Sequence, residues 1–254
     1  MTENANKTVL VTGASGTLGS AVVPVLEKAG YRVRPMSRHA KPGWVVGDLR
    51  TGEGLAEAVE GVDVIVHLAS SAGKPRQTDI EGTERLLAVA KPAGVRHVLY
   101  ISINGLDRVP FGYYQAKLDT EKVVQRSGIP YTILRAAQFH PFVEMLVSAS
   151  SKLGPVIIDP SWRVQPVAIE DVAGRIAELL AVPPTDQIIE YAGPQVITFD
   201  EIARSWLTAR RAKRPVWRLR IPGRMAKAVR DGALTTPATT TGTRSWEDYL
   251  ATKY

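Results

Sequence analysis

The chain has 254 residues, of which 44% are hydrophobic and 22% are charged, which is typical of a folded protein and excludes a disordered chain. It contains no cysteine, which excludes disulfides, zinc–cysteine sites, iron–sulfur clusters and thiol nucleophiles. Residues 1–7 are polar, and no apolar run reaches the ~18 residues of a membrane span. We therefore expect a cytoplasmic protein without a membrane segment.

The net charge of +7 comes from one stretch of the chain. Ten of the 32 Lys and Arg residues lie between Arg204 and Arg230, where there is no Asp or Glu, so the other 22 are outnumbered by the 25 acidic residues. A solvated basic face explains such a stretch; an anionic substrate, a membrane surface or a nucleic acid are the alternatives. Because the excess charge is local, the sequence argues against a nucleic-acid partner.

The first half of the chain alternates strand-like and helix-like segments. Short β-branched or alternating runs predict strands at residues 8–12, 31–36, 44–46, 62–68, within 95–103 and at 131–134. Apolar residues at helical spacing predict helices at residues 18–29, 54–60, 79–90 and 113–126. This alternation predicts an α/β fold with a Rossmann-type, doubly wound parallel sheet.

After about residue 136 the pattern loosens. Strands are predicted at residues 156–158, 163–167 and 188–191, helices at 169–180 and 199–209, and a loop at 235–243. We therefore expect a doubly wound domain over residues 1–136. Residues 137–254 are predicted to form a smaller α+β region on the substrate side, interwoven with the first domain rather than independent of it.

A glycine-rich segment, TGASGTLG at residues 12–19, lies between the first predicted strand and the first predicted helix. Its three glycines permit a tight turn and a close approach of the backbone to a pyrophosphate, and the helix N-terminus adds partial positive charge. The spacing is G-x-x-G-x-x-G rather than G-x-G-x-x-G. The predicted dinucleotide contacts in this loop are Gly13, Ser15, Gly16, Thr17, Leu18 and Gly19.

This loop resembles that of the short-chain dehydrogenase/reductase superfamily, and further segments agree. They are GDL at residues 47–49, HLAS at 67–70, DIEGTERLL at 79–87 and VQPVAIEDVA at 164–173. The closest resemblance is to the atypical, NmrA-like branch, which includes quinone reductases and redox sensors, and it extends from about residue 7 to about residue 250. It implies further cofactor contacts from Asp48, Leu49, Leu68, Ala69, Ser70 and Ala136.

The end of the second predicted strand indicates which cofactor binds. An NAD-specific site places Asp or Glu there, about 20 residues after the glycine loop, on the ribose 2′-hydroxyl. The sequence RPMSRH at residues 34–39 has no carboxylate. Arg38 is placed to bind a 2′-phosphate, with Ser37 donating a hydroxyl. The sequence therefore predicts NADP(H); the alternative is that Arg38 is only a surface cation.

Tyr113 and Lys117 form a Y-x-x-x-K pair at the start of a predicted helix, and this spacing places both on one face. The resemblance implies that Tyr113 exchanges a proton with the substrate. It also implies that Lys117 lowers the pKa of Tyr113 and holds the nicotinamide ribose. Tyr114 is a competing phenol that lies off the motif.

The resemblance also implies a Ser or Thr near the end of the fifth strand that hydrogen-bonds the substrate carbonyl. Ser102 lies there, although Ile103 occupies that register in an alternative alignment, with Asn104 as a substitute donor. The loop after the sixth strand begins the substrate site in this family. The predicted substrate contacts are Gln138, Phe139 and His140. The four His show no spacing with carboxylates that indicates a metal site.

These observations favour an enzyme, an NADPH-dependent oxidoreductase of the short-chain dehydrogenase/reductase type. It would reduce a carbonyl, quinone or enone small molecule by hydride transfer, with Tyr113 as the proton donor. Its substrate would be mostly apolar, and the protein a monomer or homodimer that needs no metal. The alternative is a non-catalytic NADP(H)-binding redox sensor or regulator that acts through a protein partner, which the doubtful Ser102 and the basic stretch favour.

Overall fold

The computed structural model describes residues 7–152 and 154–254, so the polar start of the chain lies largely outside the described residues. The strands are β1 (Thr8–Thr12), β2 (Arg32–Ser37), β3 (Val45–Val46), β4 (Val64–His67), β5 (His97–Ile103), β6 (Tyr131–Ala136), β7 (Val156–Ile158), β8 (Arg163–Val164), β9 (Gln187–Tyr191), β10 (Ile197–Thr198) and β11 (Val216–Arg218). The α-helices are α1 (Gly19–Lys28), α2 (Leu55–Val59), α3 (Glu81–Ala90), α4 (Gly112–Arg126), α5 (His140–Ser150), α6 (Ile169–Leu180), α7 (Phe199–Ala209), α8 (Arg224–Arg230) and α9 (Trp246–Lys253).

A seven-stranded sheet has the order β3-β2-β1-β4-β5-β6-β9. Strand β1 pairs in parallel with both β2 and β4, and the β2–β3 and β4–β5 pairs are also parallel. The chain therefore builds outward from β1 in one direction and then, from β4 onward, in the other. Such a reversal is where ligands bind in open α/β sheets. The predicted doubly wound parallel sheet is confirmed.

The sheet is covered on both faces, as its apolar strands require. In β1, Val9, Leu10 and Val11 have no exposed surface. Burial of each such side chain stabilises the fold by about 1.5–3 kcal/mol. The largest fully buried side chains of this core are Leu10, Leu55, Ile65, Leu86, Tyr100 and Ile133.

Two predicted elements have different bounds in the structure. The helix predicted from residue 79 begins as α3 at Glu81, after a π-helical turn at Arg76–Ile80. This turn buries Asp79, which is 1% exposed. The strand predicted at residues 163–167 ends at Val164, because Pro166 has no N–H for a ladder.

The described chain divides into two compact units. The first contains the residues up to Ser102 together with Gly112–Leu134 and Val172–Ile189. The second contains Ile103–Phe111, Arg135–Asp171 and Glu190–Tyr254. The division at residue 136 that the sequence suggests stays a prediction.

A buried carboxylate fastens the C-terminal helix of the second unit. Glu144 of α5 is 6% exposed and accepts hydrogen bonds from Trp206 Nε1 of α7 at 3.3 Å, from the hydroxyls of Tyr249 and Tyr254, and from Lys253 Nζ. Burial alone would raise the pKa of Glu144, but these donors lower it to about 2. The carboxylate thus joins three helices that lie far apart in sequence.

The basic stretch is partly neutralised by acidic residues outside or at the end of it. Arg204 and Arg218 both pair with Asp200, at 2.7 and 2.6 Å, and Arg230 pairs with Asp159 at 2.7 Å. Within the described residues, every helix is too short or too polar to cross a lipid bilayer.

Candidate cofactor and catalytic site

A cleft of about 310 Å³ opens where the strand order reverses, beside the ends of β1, β2 and β4. The predicted residues that line it are Gly13, Ser15, Gly16, Ser37, Arg38, Asp48, Leu49, Leu68, Ala69 and Ser70. The lining residues that sequence reasoning missed are Met36, Gly47, Arg50, Ser71, Lys74 and Thr78. All of these residues belong to the first compact unit.

The glycine loop needs its glycines for two different reasons. Gly13 has φ of +65°, and a Cβ there would lie 2.7 Å from the backbone N of Ala69. Gly19, the first residue of α1, has an ordinary φ, but its Cβ would lie 2.3 Å from the carbonyl oxygen of Gly13. The loop therefore folds tightly against the end of β4. Leu18 is the N-cap of α1, and no side chain caps this helix end; the N–H groups of Ser20 and Ala21 donate to the carbonyls of Gly16 and Leu18, each at 3.0 Å.

Three cations line the cleft: Arg38, Arg50 and Lys74. Arg50 holds Asp48, because its backbone N–H donates to Asp48 Oδ1 at 2.8 Å and its guanidinium lies 3.5 Å from Oδ2. Burial raises the pKa of Asp48, but the hydrogen bonds and charge of Arg50 outweigh that effect and leave it below its usual value.

The buried ring of His67 joins β1, β4 and α3. Its Nδ1 is 2.7 Å from Thr12 Oγ1, and its Nε2 is 2.8 Å from Thr83 Oγ1. Thr12 Oγ1 already accepts the N–H groups of Leu68 and Ala69, each at 3.2 Å. Its own proton therefore points at Nδ1, and His67 carries its proton on Nε2. Burial, with a smaller effect of the nearby Lys117 charge, lowers the pKa of His67 to about 3, so the ring is neutral.

The predicted tyrosine reaches the wall of the cleft. The Tyr113 hydroxyl lies 2.7 Å from Ser70 Oγ, and Ser70 lines the cleft. Ser70 donates its proton to Asp79, so it accepts a hydrogen bond from Tyr113, whose phenol is protonated. Ser71 N–H also donates to Asp79, at 3.0 Å.

The predicted lysine, Lys117, is buried close to Asp79. Lys117 Nζ donates to the carbonyl of Ile101 at 3.0 Å, lies 3.8 Å from Asp79 Oδ1 and sits 4.3 Å above the ring of Tyr100. Desolvation lowers the pKa of Lys117 to about 8, against the attraction of Asp79 and Glu121.

The pKa of Tyr113 shifts the opposite way to our expectation. Desolvation raises it above its usual value, and the charge of Asp79 raises it further, whereas the hydrogen bond with Ser70 lowers it. Asp79 lies within salt-bridge distance of Lys117, so its negative charge offsets the positive charge of the ammonium. The ammonium therefore does not lower the pKa of Tyr113 below its usual value. The Tyr113 phenol is therefore held in its protonated form.

The remaining predicted donor is engaged elsewhere. Ser102 is 2% exposed and donates to Glu121 Oε1 at 2.5 Å, one helical turn after Lys117 on α4. In the second unit, Asn104 has no exposed surface. Its backbone N–H donates to the carbonyl of Ala136 at 2.9 Å, and among the described residues its side-chain amide has no hydrogen-bond partner.

The predicted substrate residues lie in the second unit around the start of α5. Gln138 and His140 are buried, whereas Phe139, the N-cap, is partly exposed. The ring of His140 packs 6.0 Å from that of Trp246 and 5.3 Å from that of Tyr249, centre to centre. Burial lowers the pKa of His140 to about 4, which favours a packed neutral ring. Ala136 is the buried last residue of β6.

Among the described residues there is no group of three or more His, Asp or Glu side chains that could hold a metal ion. The chemistry of the donors in the cleft, which are backbone N–H groups, hydroxyls and cations, suits phosphate oxygens instead.

Several solved structures share this fold. A quinone oxidoreductase from Escherichia coli in complex with NADPH superposes with a TM-score of 0.82 at 20% identity, over 96% of this chain and 99% of the other. A triphenylmethane reductase from Citrobacter sp. in complex with NADP(H) gives 0.78 at 21% identity, over 95% and 98%.

Curated relatives are more varied. An NAD(P)H azoreductase from Xenophilus azovorans is 26% identical over 238 residues, which cover 88% of this chain and 80% of the relative. A photosystem II assembly factor from Trieres chinensis is 24% identical over 70% of this chain and 60% of the relative. A 3-beta-hydroxysteroid dehydrogenase from Mycolicibacterium neoaurum is 33% identical over 39% of this chain and 32% of the relative.

The chain spans about a third to three fifths of the length of the first curated relatives that it matches, which are the steroid dehydrogenase and the photosystem II assembly factors. A sequence model described as NAD(P)H-binding matches residues 13–183, well over half of the chain, and this range includes the glycine loop and the Tyr113–Lys117 pair. The chain therefore belongs to the NAD(P)H-binding family, as its resemblance to the atypical, NmrA-like short-chain dehydrogenase/reductases predicts.

Proposed function

We propose that this protein is an NADPH-dependent oxidoreductase that reduces a carbonyl, quinone or enone small molecule. One observation carries the proposal: the protonated hydroxyl of Tyr113 meets Ser70, and Ser70 is itself part of the wall of the dinucleotide cleft. A proton donor is thus held at the wall of the cleft that would bind the hydride-donating cofactor. An NADPH-dependent quinone oxidoreductase and a triphenylmethane reductase are among the proteins that share its fold, which supports a reductase that acts on a small molecule.

The cleft fits the adenosine and phosphate half of NADPH. The N-terminus of α1 and the glycine loop would take the pyrophosphate. Arg38, which follows β2, would take the 2′-phosphate, whereas the Ser37 hydroxyl donates to the carbonyl of His39 in this structure and would have to turn to reach a phosphate. The carboxylate in the cleft, Asp48, follows β3 rather than β2, so it is not at the position that binds the ribose in an NAD-specific site.

The chemistry follows from the state of Tyr113. When bound, the reduced nicotinamide supplies a hydride to the electrophilic carbon of the substrate. The Tyr113 hydroxyl gives its proton to the substrate oxygen, which becomes a hydroxyl, and Tyr113 is left as a phenolate. By the family resemblance, Lys117 would hold the nicotinamide ribose; in this structure its ammonium lies beside Asp79 and donates to the carbonyl of Ile101. Gln138, Phe139 and His140 stay our predicted substrate contacts, and Ser102 stays a predicted third partner whose proton is directed to Glu121.

The first experiment is a titration of the purified protein with NADPH, NADP+, NADH and NAD+. We expect the phosphorylated pair to bind at least tenfold more tightly, about 1.4 kcal/mol. NADPH oxidation with a panel of quinones and carbonyls then tests turnover. Absence of dinucleotide binding would contradict the proposal, and equal binding of NADH and NADPH would contradict its NADP(H) specificity.

A second candidate is a non-catalytic NADP(H)-binding regulator that acts through an acidic protein partner. The feature that favours it is the segment around β11, where Trp217 and Leu219 are 54% and 52% exposed among basic residues. An assembly factor among the relatives is consistent with such a role. Tyr113→Phe separates the two candidates, because it should abolish turnover in an enzyme and leave partner binding intact in a regulator.

A further inference from the structure

Asp79 is a buried carboxylate at the centre of the candidate catalytic group. The π-helical turn leaves it 1% exposed. One oxygen accepts the Ser70 hydroxyl, and the other accepts the N–H of Ser71 at 3.0 Å. Lys117 Nζ lies 3.8 Å from the first oxygen. Burial of a carboxylate is costly unless it is paired and hydrogen-bonded, and here both conditions are met.

The backbone of Asp79 is fixed from its other side. Thr83 Oγ1 donates to the Asp79 carbonyl and accepts from Nε2 of His67, whose Nδ1 accepts from Thr12. Each hydrogen in this series is directed by the bond before it. The carboxylate is therefore held at a set position relative to β1 and β4.

The position of Asp79 determines what Tyr113 can do. Since Asp79 takes the Ser70 proton, Ser70 presents a lone pair to the Tyr113 hydroxyl. The charged or titratable groups near the phenol include Asp79 through Ser70, Lys117 one turn along α4 with Glu121 near it, the adjacent Tyr114, and Tyr100 beneath Lys117. Asp79 is the group whose charge raises the pKa of Tyr113.

We propose that Asp79, acting through Ser70, positions the Tyr113 hydroxyl and keeps it protonated, and that it thereby sets the upper pH limit of the reaction. Asp79 is a positioning residue, because its contacts are with Ser70, Ser71 and Lys117 rather than with the cleft. For the reaction that Tyr113 serves, this inference rests on the proposed function. The arrangement itself does not.

The test is a spectroscopic titration of Tyr113 in the cofactor-free protein. The ultraviolet absorbance of phenolate is measured against pH, and the Tyr113→Phe curve is subtracted to isolate this residue. In Asp79→Asn we expect the midpoint to fall by about one pH unit or more, since a nearby like charge has been removed. Asp119→Asn is the matched control: it removes one negative charge from the exposed side of α4, where Asp119 pairs with Lys122 at 2.9 Å, and should leave the midpoint unchanged.

Ser70→Ala supplies the opposite sign. Once Tyr113 ionises, the Ser70 hydroxyl can turn from Asp79 and donate to the phenolate, which is the hydrogen bond that lowers the pKa of Tyr113; Ser70→Ala removes that donor, so the midpoint should rise. A merely structural role for Asp79 and Ser70 would not move the midpoint in opposite directions. An unchanged or raised midpoint in Asp79→Asn would overturn the proposal. If that variant does not fold, an unchanged midpoint in Ser70→Ala would overturn it instead.

The titration is independent of turnover, so the two proposals fail separately. If no substrate is reduced but the midpoints move as expected, the proposed function is wrong and the role of Asp79 stands. If substrates are reduced, the alkaline limb of the kcat/KM profile should move down with the midpoint in Asp79→Asn. If substrates are reduced but neither the alkaline limb nor the titration midpoint moves in Asp79→Asn, the proposed role of Asp79 is wrong and the proposed function stands.

Discussion

The two compact units differ in how their central contacts are spread along the chain. In the first unit, the groups around the cleft sit on short segments with recognisable spacing, such as residues 12–19 and the pair Tyr113 and Lys117. In the second unit, the carboxylate of Glu144 bonds to residues 62 to 110 positions away. The first unit is therefore readable from local patterns, whereas the second depends on long-range contacts that leave no local pattern.

The largest expected effect tests whether the first unit is catalytic. Tyr113→Phe removes the proton donor and should lower kcat by about 10²–10⁴-fold. NADPH binding should be nearly unchanged, because the phenol contacts Ser70 of the cleft wall and is not itself among the residues that line the cleft. The control is Tyr114→Phe, which lies off the motif and should retain most of the activity. Steady-state kinetics with a quinone checks both, and equal losses would contradict the assignment.

The next effect tests whether the second unit depends on its long-range carboxylate. Glu144→Gln weakens the hydrogen bonds that fasten α9 and should lower the free energy of unfolding by about 1–3 kcal/mol. Urea denaturation measures it. Glu178→Gln is the control: its side chain is 65% exposed and forms a surface ion pair with Arg175, so the loss should stay within about 0.5 kcal/mol. Equal losses would show that Glu144 does not fasten the helix.

A smaller effect concerns cofactor choice in the first unit. Arg38→Ala removes a cation placed for the 2′-phosphate and should weaken NADPH binding by about tenfold, or 1.4 kcal/mol. NADH has no such phosphate and serves as the internal control, so its Kd should change little. Isothermal titration calorimetry measures the Kd of both dinucleotides for the wild type and the variant. A parallel loss for NADH would mean that Arg38 acts on the loop rather than on the phosphate.

The smallest effect is the acid sensitivity of the second unit. The pKa of Glu144 is lowered to about 2 from an ordinary value of 4.5, so its contribution to stability is complete above that ordinary value. The contribution is lost as the pH falls from about 4.5 through 2. The unfolding free energy of the wild type should therefore fall more steeply over this range than that of Glu144→Gln. Parallel slopes would contradict the lowered pKa.

The sequence predicts the fold of the first unit because its signals are local. Glycine positions, β-branched runs and helical spacing predict β1, α1, β4 and α4 within one or two residues. Arg50 and Lys74 were missed because nothing marks a surface cation as part of a cleft until the strands are placed. Ser70 was predicted as a cofactor contact, but its bond to a tyrosine 43 residues away has no trace in the spacing.

The second unit was harder for a related reason. Helix α5 was not predicted, although Pro141 lies at its start, where proline is favoured. The capping boxes at Thr198 and Ser245 mark α7 and α9, but only the first helix was predicted. What these helices pack against is decided by Glu144 and its distant donors, which a pattern of apolar spacing does not contain.

The neutral ring of His67 has a consequence for how the cleft meets its ligand. Its two nitrogens connect β1, β4 and the turn that carries Asp79, and each hydroxyl in the series is already committed to one direction. The hydrogen bonds of the cleft wall thus form when the protein folds, before a dinucleotide binds. Binding then needs little free energy to rearrange these side chains. We therefore expect cofactor association to proceed in a single kinetic phase, without a slow rearrangement of this wall.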